Sequence, residues 1–585
     1  MRPSSLPAIV LALAVGGVAA AVQQPSYRTL NDTFEPPRFS DVEQWKHRAA
    51  YLREHILASA GLMPMPERTP LRPEIFGEVK RADYSVAKVY FESLPGFFVT
   101  GNLYRPAGDG PFPAILAPHG HWAYGRLENT SLNSVPGRAI NLARQGFVVL
   151  THDMVGYGDS RQLPHTFGGR RETLWGLSLA GLQLWNAIRA LDFLESLPYV
   201  QRDALGATGE SGGGTQTFLL AAVDERVKVA VPVNMISLHM QGGCLCENPP
   251  GLRLDTTNVE IAATIAPRPL LMVSATGDWT KNTLEREYPA VRALYALMGA
   301  ADRVHAVRFD AEHNYNRDSR EAMYAWMARW FKQAPTDVRI PERSFTPEPP
   351  ADLLVFHQRT LPDHAVTPAT LTAHWIDAAT RQLSTSAPRT LGRALNHALG
   401  FGETTSAPRS NGARGRERVV LLADTDPDLT PRLRAAGFTV RPIVFTPFDS
   451  AAAEKVRHFD TYNRTAAGRR VADIVAALRN NPDAALVASG DAALAGLLAS
   501  AVSSPQVAIL DVDTFDTSSD AAFVERLYIP GLRRAGDLQT AAALAGDRIV
   551  IHGAGERFTL KGVTVQRAKL TPREIARTLS RRLTR

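Results

Sequence analysis

The stretch Gly209-Glu210-Ser211-Gly212-Gly213 sets a serine among glycines. It lies between a short apolar run, Leu205 to Thr208, and a helix-like stretch, Gly214 to Val223. A serine on a sharp strand-to-helix turn projects its hydroxyl above a sheet, and only neighbours without side chains leave room for that strained backbone. The hydroxyl is a weak nucleophile until a histidine takes its proton and a carboxylate holds that histidine in the right tautomer. The chain must therefore supply a histidine and an acid on loops that the fold can bring to the serine.

Asp278 and His313 meet that requirement. The apolar strand Leu270 to Val273 leads into Gly277-Asp278-Trp279, and Val304 to Phe309 leads into Asp310-Ala311-Glu312-His313-Asn314. What separates these two from other acids and from the rest of the 15 histidines is their joint placement after the right strands. Glu247, in a polar Gly-rich loop, is the rival acid. Glu210, beside the serine, lines the pocket or bonds within the turn. Attack on a carbonyl creates an oxyanion that needs pre-aimed N–H donors. Gly212 offers one, and His121 or Trp122, in Pro118-His119-Gly120-His121-Trp122, offers the second. The His119 side chain is read as structural.

Trp122, Tyr124, Arg126, Tyr157 and Trp279 gather in the expected loops. Stacking aromatics suit sugar rings and an arginine suits a carboxylate, so these residues, with Glu210 and Glu247, are the expected substrate contacts. The two cysteines, Cys244 and Cys246, are one residue apart. A bridge closing so small a ring is strained and two ligands do not make a zinc site, so neither a redox nor a metal role is expected. No cofactor is required, and activity should survive chelators.

The elements that must hold these residues follow from periodicity. Ser40-Asp41-Val42-Glu43 reads as a capping box opening a helix with Trp45, Leu52 and Ile56 on one face. Runs at Tyr84 to Phe91 and Phe97 to Leu103, joined by Leu94-Pro95-Gly96, start an antiparallel sheet. From Pro111 short apolar strands alternate with amphipathic helices, at Ala114 to Ala117, Phe147 to Thr151, Leu205 to Thr208, Val227 to Val231, Leu270 to Val273 and Val304 to Phe309. That alternation predicts an α/β fold, a mostly parallel sheet with helices on both faces and a site at the strands' carboxyl ends. Pro341 to Pro350 reads as a linker. Beyond it, after helical material from Thr367 to Leu399 and a Ser-, Gly- and Arg-rich run from Thr404 to Gly415, the alternation returns. Gly490-Asp491-Ala492 echoes Gly209-Glu210-Ser211, which predicts a duplicated architecture with Ala492 in place of the nucleophile.

The chain has 585 residues, 45% hydrophobic and 21% charged, enough for more than one core. Its 65 Lys and Arg against 58 Asp and Glu give a formal charge of +7 spread thinly, with no basic run interleaved with aromatics, so nucleic acid is not implied. Arg2, the apolar run Leu6 to Val18 and Ala19-Ala20-Ala21 match a cleavable export signal too short to span a bilayer comfortably. The expected organisation is a signal at 1–21, a catalytic unit at 22–340, a linker at 341–350 and a degenerate unit at 351–585. The mature protein is expected to be secreted or periplasmic, without stable membrane insertion.

Together these residues resemble the α/β-hydrolase superfamily, and within it the acetyl xylan esterase and dienelactone hydrolase-like group. The resemblance rests on His119-Gly120, the Gly209 to Gly213 turn, Ala266-Pro267-Arg268-Pro269-Leu270-Leu271 before Asp278, and Glu312-His313-Asn314. It covers residues 80–335 closely and the second unit in outline. It implies an α/β-hydrolase fold and a serine esterase deacetylating plant-type polysaccharide through an acyl-enzyme on Ser211. Glucuronoyl esterases share the Ala-Pro-Arg-Pro strand but carry a Cys-Ser-Arg type turn, which this chain lacks. Prolyl-oligopeptidase-like peptidases share the triad, but no propeller repeat is visible. A polysaccharide-binding protein with a vestigial hydrolase unit is the reading from a different class.

Overall fold

Alternation in the first half of the chain builds a single nine-stranded sheet. Its strands are β1 (Glu74–Lys80), β2 (Tyr84–Leu94), β3 (Phe97–Pro106), β4 (Phe112–Leu116) and β5 (Val148–His152). They continue with β6 (Val200–Glu210), β7 (Val227–Val233), β8 (Leu270–Ala275) and β9 (Val304–Phe309). The order is β1-β2-β3-β5-β4-β6-β7-β8-β9. The first three strands run antiparallel to their neighbours, including the β3 to β5 pair, and everything from β5 to β9 is parallel. The computed structural model describes residues 26–402, 417–424 and 426–583. The expected signal at 1–21 and the run Thr404 to Gly415 lie outside the described residues.

Side chains alternate across a strand, so each central strand feeds two cores. Leu116, Leu150, Leu205 and Ala207 pack on one face with Leu184, Ile188 and Leu191 of the helix Leu179–Ser196. Ile115, Val149, Val231 and Val273 pack on the other with Met323, Tyr324 and Met327 of the helix Arg317–Lys332. Strand β1 was not expected. It is an edge strand whose residues are exposed or half-buried, so it carries little apolar signal. The first helix, Val42–Ser59, is capped by Asp41 rather than Ser40: the Asp41 carboxylate accepts from the amides of Glu43 and Gln44.

A second sheet contains β10 (Val419–Ala423), β11 (Thr439–Pro442), β12 (Ala485–Ser489), β13 (Ala508–Asp511) and β14 (Ile549–His552). It is wholly parallel, in the order β11-β10-β12-β13-β14. Strands β5-β4-β6-β7-β8 of the first sheet follow the same pattern, so the parallel core of the first unit is repeated. The repeat corrects one expected equivalence. Strand β6 enters the helix Gly212–Val223 through Ser211 at φ 54° and ψ −122°, and β12 enters the helix Asp491–Ser503 through Gly490 at φ 60° and ψ −134°. The Ser211 amide donates to the Val233 carbonyl at the end of β7, and the Gly490 amide to the Asp511 carbonyl at the end of β13. Gly490, not Ala492, therefore occupies the place of Ser211, and Ala492 is buried in the following helix.

The stretch 341–350, expected as a linker, is fastened to the first sheet. Glu342 pairs with Arg320, Phe345 covers Gly137, and Glu348 pairs with Arg81 while accepting from Tyr84. Val366, Leu371, Trp375 and Ala379 join the first core, whereas Ala394 and Leu395 join the second.

Candidate active site

The turn that holds Ser211 is tight because three backbones meet there. A Cβ at Gly209 would lie 2.6 Å from the Gly213 carbonyl, and one at Gly213 would lie 2.6 Å from the Pro118 carbonyl oxygen. A Cβ at Gly120 would lie 2.8 Å from the Glu210 carbonyl oxygen and 3.1 Å from the Ser211 Cβ. Glycine is required here by close approach, and it lets the 118–122 loop lie against the serine turn. The same loop sets the His121 ring against Gly212, where a Cβ would lie 2.6 Å from His121 Cε1.

His313 and Asp278 come together at the carboxyl ends of β9 and β8. The His313 Nδ1 lies 3.0 Å from Asp278 Oδ2, and the other carboxylate oxygen, Oδ1, accepts from the Thr280 amide at 2.7 Å and its hydroxyl at 2.5 Å. With Nδ1–H directed at the carboxylate, Nε2 is left with the lone pair that a general base needs. The two loops are tied to each other: the Gly277 amide donates to the Ala311 carbonyl and Thr276 Oγ1 to Asp310. Asn234, after β7, donates from Nδ2 to the Asn314 carbonyl at 3.0 Å. The His313 ring lies between Trp279, with centroids 4.5 Å apart, and Trp122, at 6.4 Å and an 18° interplanar angle.

Three expected substrate contacts are placed elsewhere. Glu210 is fully buried and accepts from the Gly120 amide at 2.8 Å, Trp122 Nε1 at 2.7 Å, Asn133 Nδ2 at 3.1 Å and Arg138 Nη1 at 2.9 Å. It holds the loop that lies on the serine turn instead of facing a ligand. Arg126 is buried too, paired with Asp153 and with Asp159 at 2.6 Å, and donates to Asn102 and to the Leu353 carbonyl. Four of the five guanidinium donors are spent on these partners, and the group is buried away from any ligand. Glu247, the rival acid, is turned into its own loop, accepting from the amides of Gly243 and Cys244. Tyr124 is exposed, and Tyr157 is half-buried with its ring 5.4 Å from His119.

His119 is a structural histidine. Its Nδ1–H donates to the Gly120 carbonyl at 2.6 Å and its Nε2 accepts from the Met154 amide at 3.0 Å, while burial pushes its pKa down to about 3. Sequence reading missed Arg138 and Asn133. Both come from the stretch after the 118–122 loop, and no motif marks them.

No family model matches the chain. The Bacillus subtilis protein YtaP, named as a candidate hydrolase, is 27% identical over 290 residues, which is 46% of this chain and 95% of that one. An uncharacterized protein of Pseudomonas aeruginosa is 28% identical over 153 residues, 26% of this chain and 37% of that one. Among solved structures, the methylesterase BT1017 is 29% identical with a TM-score of 0.50, covering 60% of this chain and 78% of its own. Strand order, serine turn and these likenesses agree, and the chain has the α/β-hydrolase fold.

Proposed function

We propose that this protein is a serine carboxylic-ester hydrolase acting on carbohydrate esters. Ser211 is the nucleophile, His313 the general base and then acid, and Asp278 the group that orients it. The single observation that supports this reading is the His313–Asp278 pair, whose imidazole stacks on Trp122 of the same 118–122 loop that lies against the strained Ser211 turn. Attack by the Ser211 hydroxyl on an ester carbonyl passes its proton to His313 Nε2, which then protonates the departing alcohol. The developing oxyanion is met by the Gly212 amide and one from His121 or Trp122. Water repeats the sequence to release the acid. Trp122 and Trp279 form walls on which a sugar ring can stack.

Deacetylation of plant-type polysaccharide by an exported enzyme is the first reading of substrate. Hydrolysis of a methyl ester on a uronic acid is the second, favoured by the likeness to a methylesterase. The second unit, with Gly490 at the turn and no histidine after His552, lacks both nucleophile and base. We assign it the role of a prop for loops of the first unit. A panel of acetylated oligosaccharides, methyl uronates and aryl esters, run on wild type and Ser211→Ala, tests the scheme. Wild type is expected to turn over one carbohydrate class and label with a fluorophosphonate at Ser211. Hydrolysis persisting in Ser211→Ala would overturn it.

A further inference from the structure

Cys244 and Cys246 are too few to hold a metal when read along the chain, but the fold brings two histidines to them. His121 stands in the loop after β4, His165 in the loop after β5, and the cysteines in the loop after β7. Their ligand atoms all lie within 4.8 Å of one another. We propose that these four residues form a tetrahedral Cys2His2 site for a borderline-soft divalent cation, zinc foremost.

Each ligand is prepared for the task. His165 Nδ1–H donates to the Val155 carbonyl at 2.5 Å, which leaves Nε2 as the lone-pair nitrogen. That Nε2 is buried with no hydrogen-bond partner. An outer carbonyl that fixes the tautomer while the inner nitrogen is unsatisfied is the usual preparation of a metal-binding histidine. His121 Nε2 lies 3.1 Å from Cys246 Sγ, and the two imidazole rings are 5.3 Å apart. The cysteine loop is pinned from outside: Glu247 accepts from the Gly243 amide at 2.8 Å and the Cys244 amide at 2.9 Å, and Asn248 Nδ2 donates to the Cys244 carbonyl at 2.7 Å. Both cysteines are free thiols. Two thiolates and two neutral imidazoles balance a dication and match the donor set that zinc prefers.

Four protein ligands close the coordination sphere, so the ion is structural and takes no part in hydrolysis. Its place gives it a consequence all the same. A Cβ at Gly212 would lie 2.6 Å from His121 Cε1, so the His121 ring rests on the first residue after Ser211. An ion on His121 therefore staples the 118–122 loop to the loops after β5 and β7. The site stands whether or not the esterase reading holds.

The full chain is purified under reducing conditions without chelator, and its metal content is measured by plasma mass spectrometry. Close to stoichiometric zinc is expected in wild type, falling to background in Cys246→Ser and in His165→Ala. Cobalt(II) added to metal-depleted wild type is expected to give the intense visible bands of a tetrahedral site with thiolate-to-cobalt charge transfer. That arm needs no variant to fold. Reduced wild type that binds neither zinc nor cobalt overturns the proposal. So does a peptide mass two hydrogens short across Cys244 and Cys246 in protein isolated without reductant, if that species is as heat-stable as the metal-loaded form. Fluorophosphonate labelling of Ser211 is read separately, so failure of one reading is distinguishable from failure of the other.

Discussion

Glu210 shows how a single buried side chain beside Ser211 can hold a whole loop in place. Both partners of its ion pair with Arg138 are wholly buried. A buried pair of this kind is weak evidence for stability in itself, but removing one member strands the other's charge. Glu210 also gathers the Gly120 amide, the Trp122 indole and the Asn133 amide, so the loop carrying His121 and Trp122 hangs on one carboxylate. Glu210→Gln presents an NH2 group to an array of donors. Its kcat is expected to fall about 10²-fold, the size of losing one oxyanion donor, with KM changed by less than about threefold. Steady-state kinetics on a soluble ester measure this, and a rise in KM at constant kcat would assign Glu210 to ground-state binding instead. The Arg126 network does comparable work further out. Asp159 also accepts from the amides of Val355 and Phe356, tying the segment beyond the Pro-rich stretch to the first unit.

Elements matter because the two strand-to-helix turns differ in sequence, with serine at one centre and glycine at the other, and nearly match in backbone there. At φ 54° Ser211 occupies a region where a side chain costs about 1–3 kcal/mol, whereas Gly490 at φ 60° carries no such strain. Ser211→Gly is therefore expected to raise the midpoint of thermal unfolding while abolishing ester hydrolysis. Gly490→Ser should lower it by a similar amount and create no activity, since no histidine follows His552 to serve as base. Differential scanning calorimetry on the two variants decides the point: a less stable Ser211→Gly would mean that the turn stores no strain.

At the scale of the whole molecule, the two sheets share their surroundings. Met63 and Leu174, from the first half of the chain, lie in the second core. Arg534 is buried and donates to the Gly61 and Pro64 carbonyls and to Gln382. Asp520 accepts from Arg171 at 2.8 Å and from Trp175 Nε1 at 2.9 Å. The Gly251 and Arg253 amides donate to the Asp460 and Thr461 carbonyls, so the second unit braces the chain just beyond the cysteine loop. Buried histidines contribute to the molecule's response to acid, His152 and His397 among them beside His119. Burial pushes His152 down to about 4, against the pull of its bond to Gln216, and burial with His55 nearby pushes His397 down to about 3. Because these folded-state values lie below the ordinary 6.5, the unfolded chain binds more protons in between. Their contribution to stability is complete above about pH 6.5 and is lost as pH falls toward 4, by about 3 kcal/mol for His152 alone. Unfolding followed by circular dichroism from pH 7 to 4 is expected to show this slope and its flattening in His152→Gln. Equal slopes in the two proteins would exclude His152 as the cause.

Local signals carried much of this. Apolar runs and their alternation placed the parallel strands, because burial on both faces demands them. The flanking glycines, Asp278 and His313 stood out through order along the chain, which strand succession preserves. Signals failed where burial or partners come from afar. Strand β1 lies exposed at an edge, and β13 spans only Ala508–Asp511. Arg126, Glu210 and Glu247 looked like ligand contacts because loop charges usually face solvent. Only the packed structure shows their partners, Asp153 and Asp159, Arg138, and the Gly243 and Cys244 amides. The count of two cysteines was right, and it was incomplete. His121 and His165 reach them across loops that share one end of a sheet, and sequence separation says nothing about that distance. Residue type and spacing determined the chemistry available to this chain, and tertiary structure decided which charged groups are free to perform it, because a charge is a ligand contact only when no buried partner already holds it.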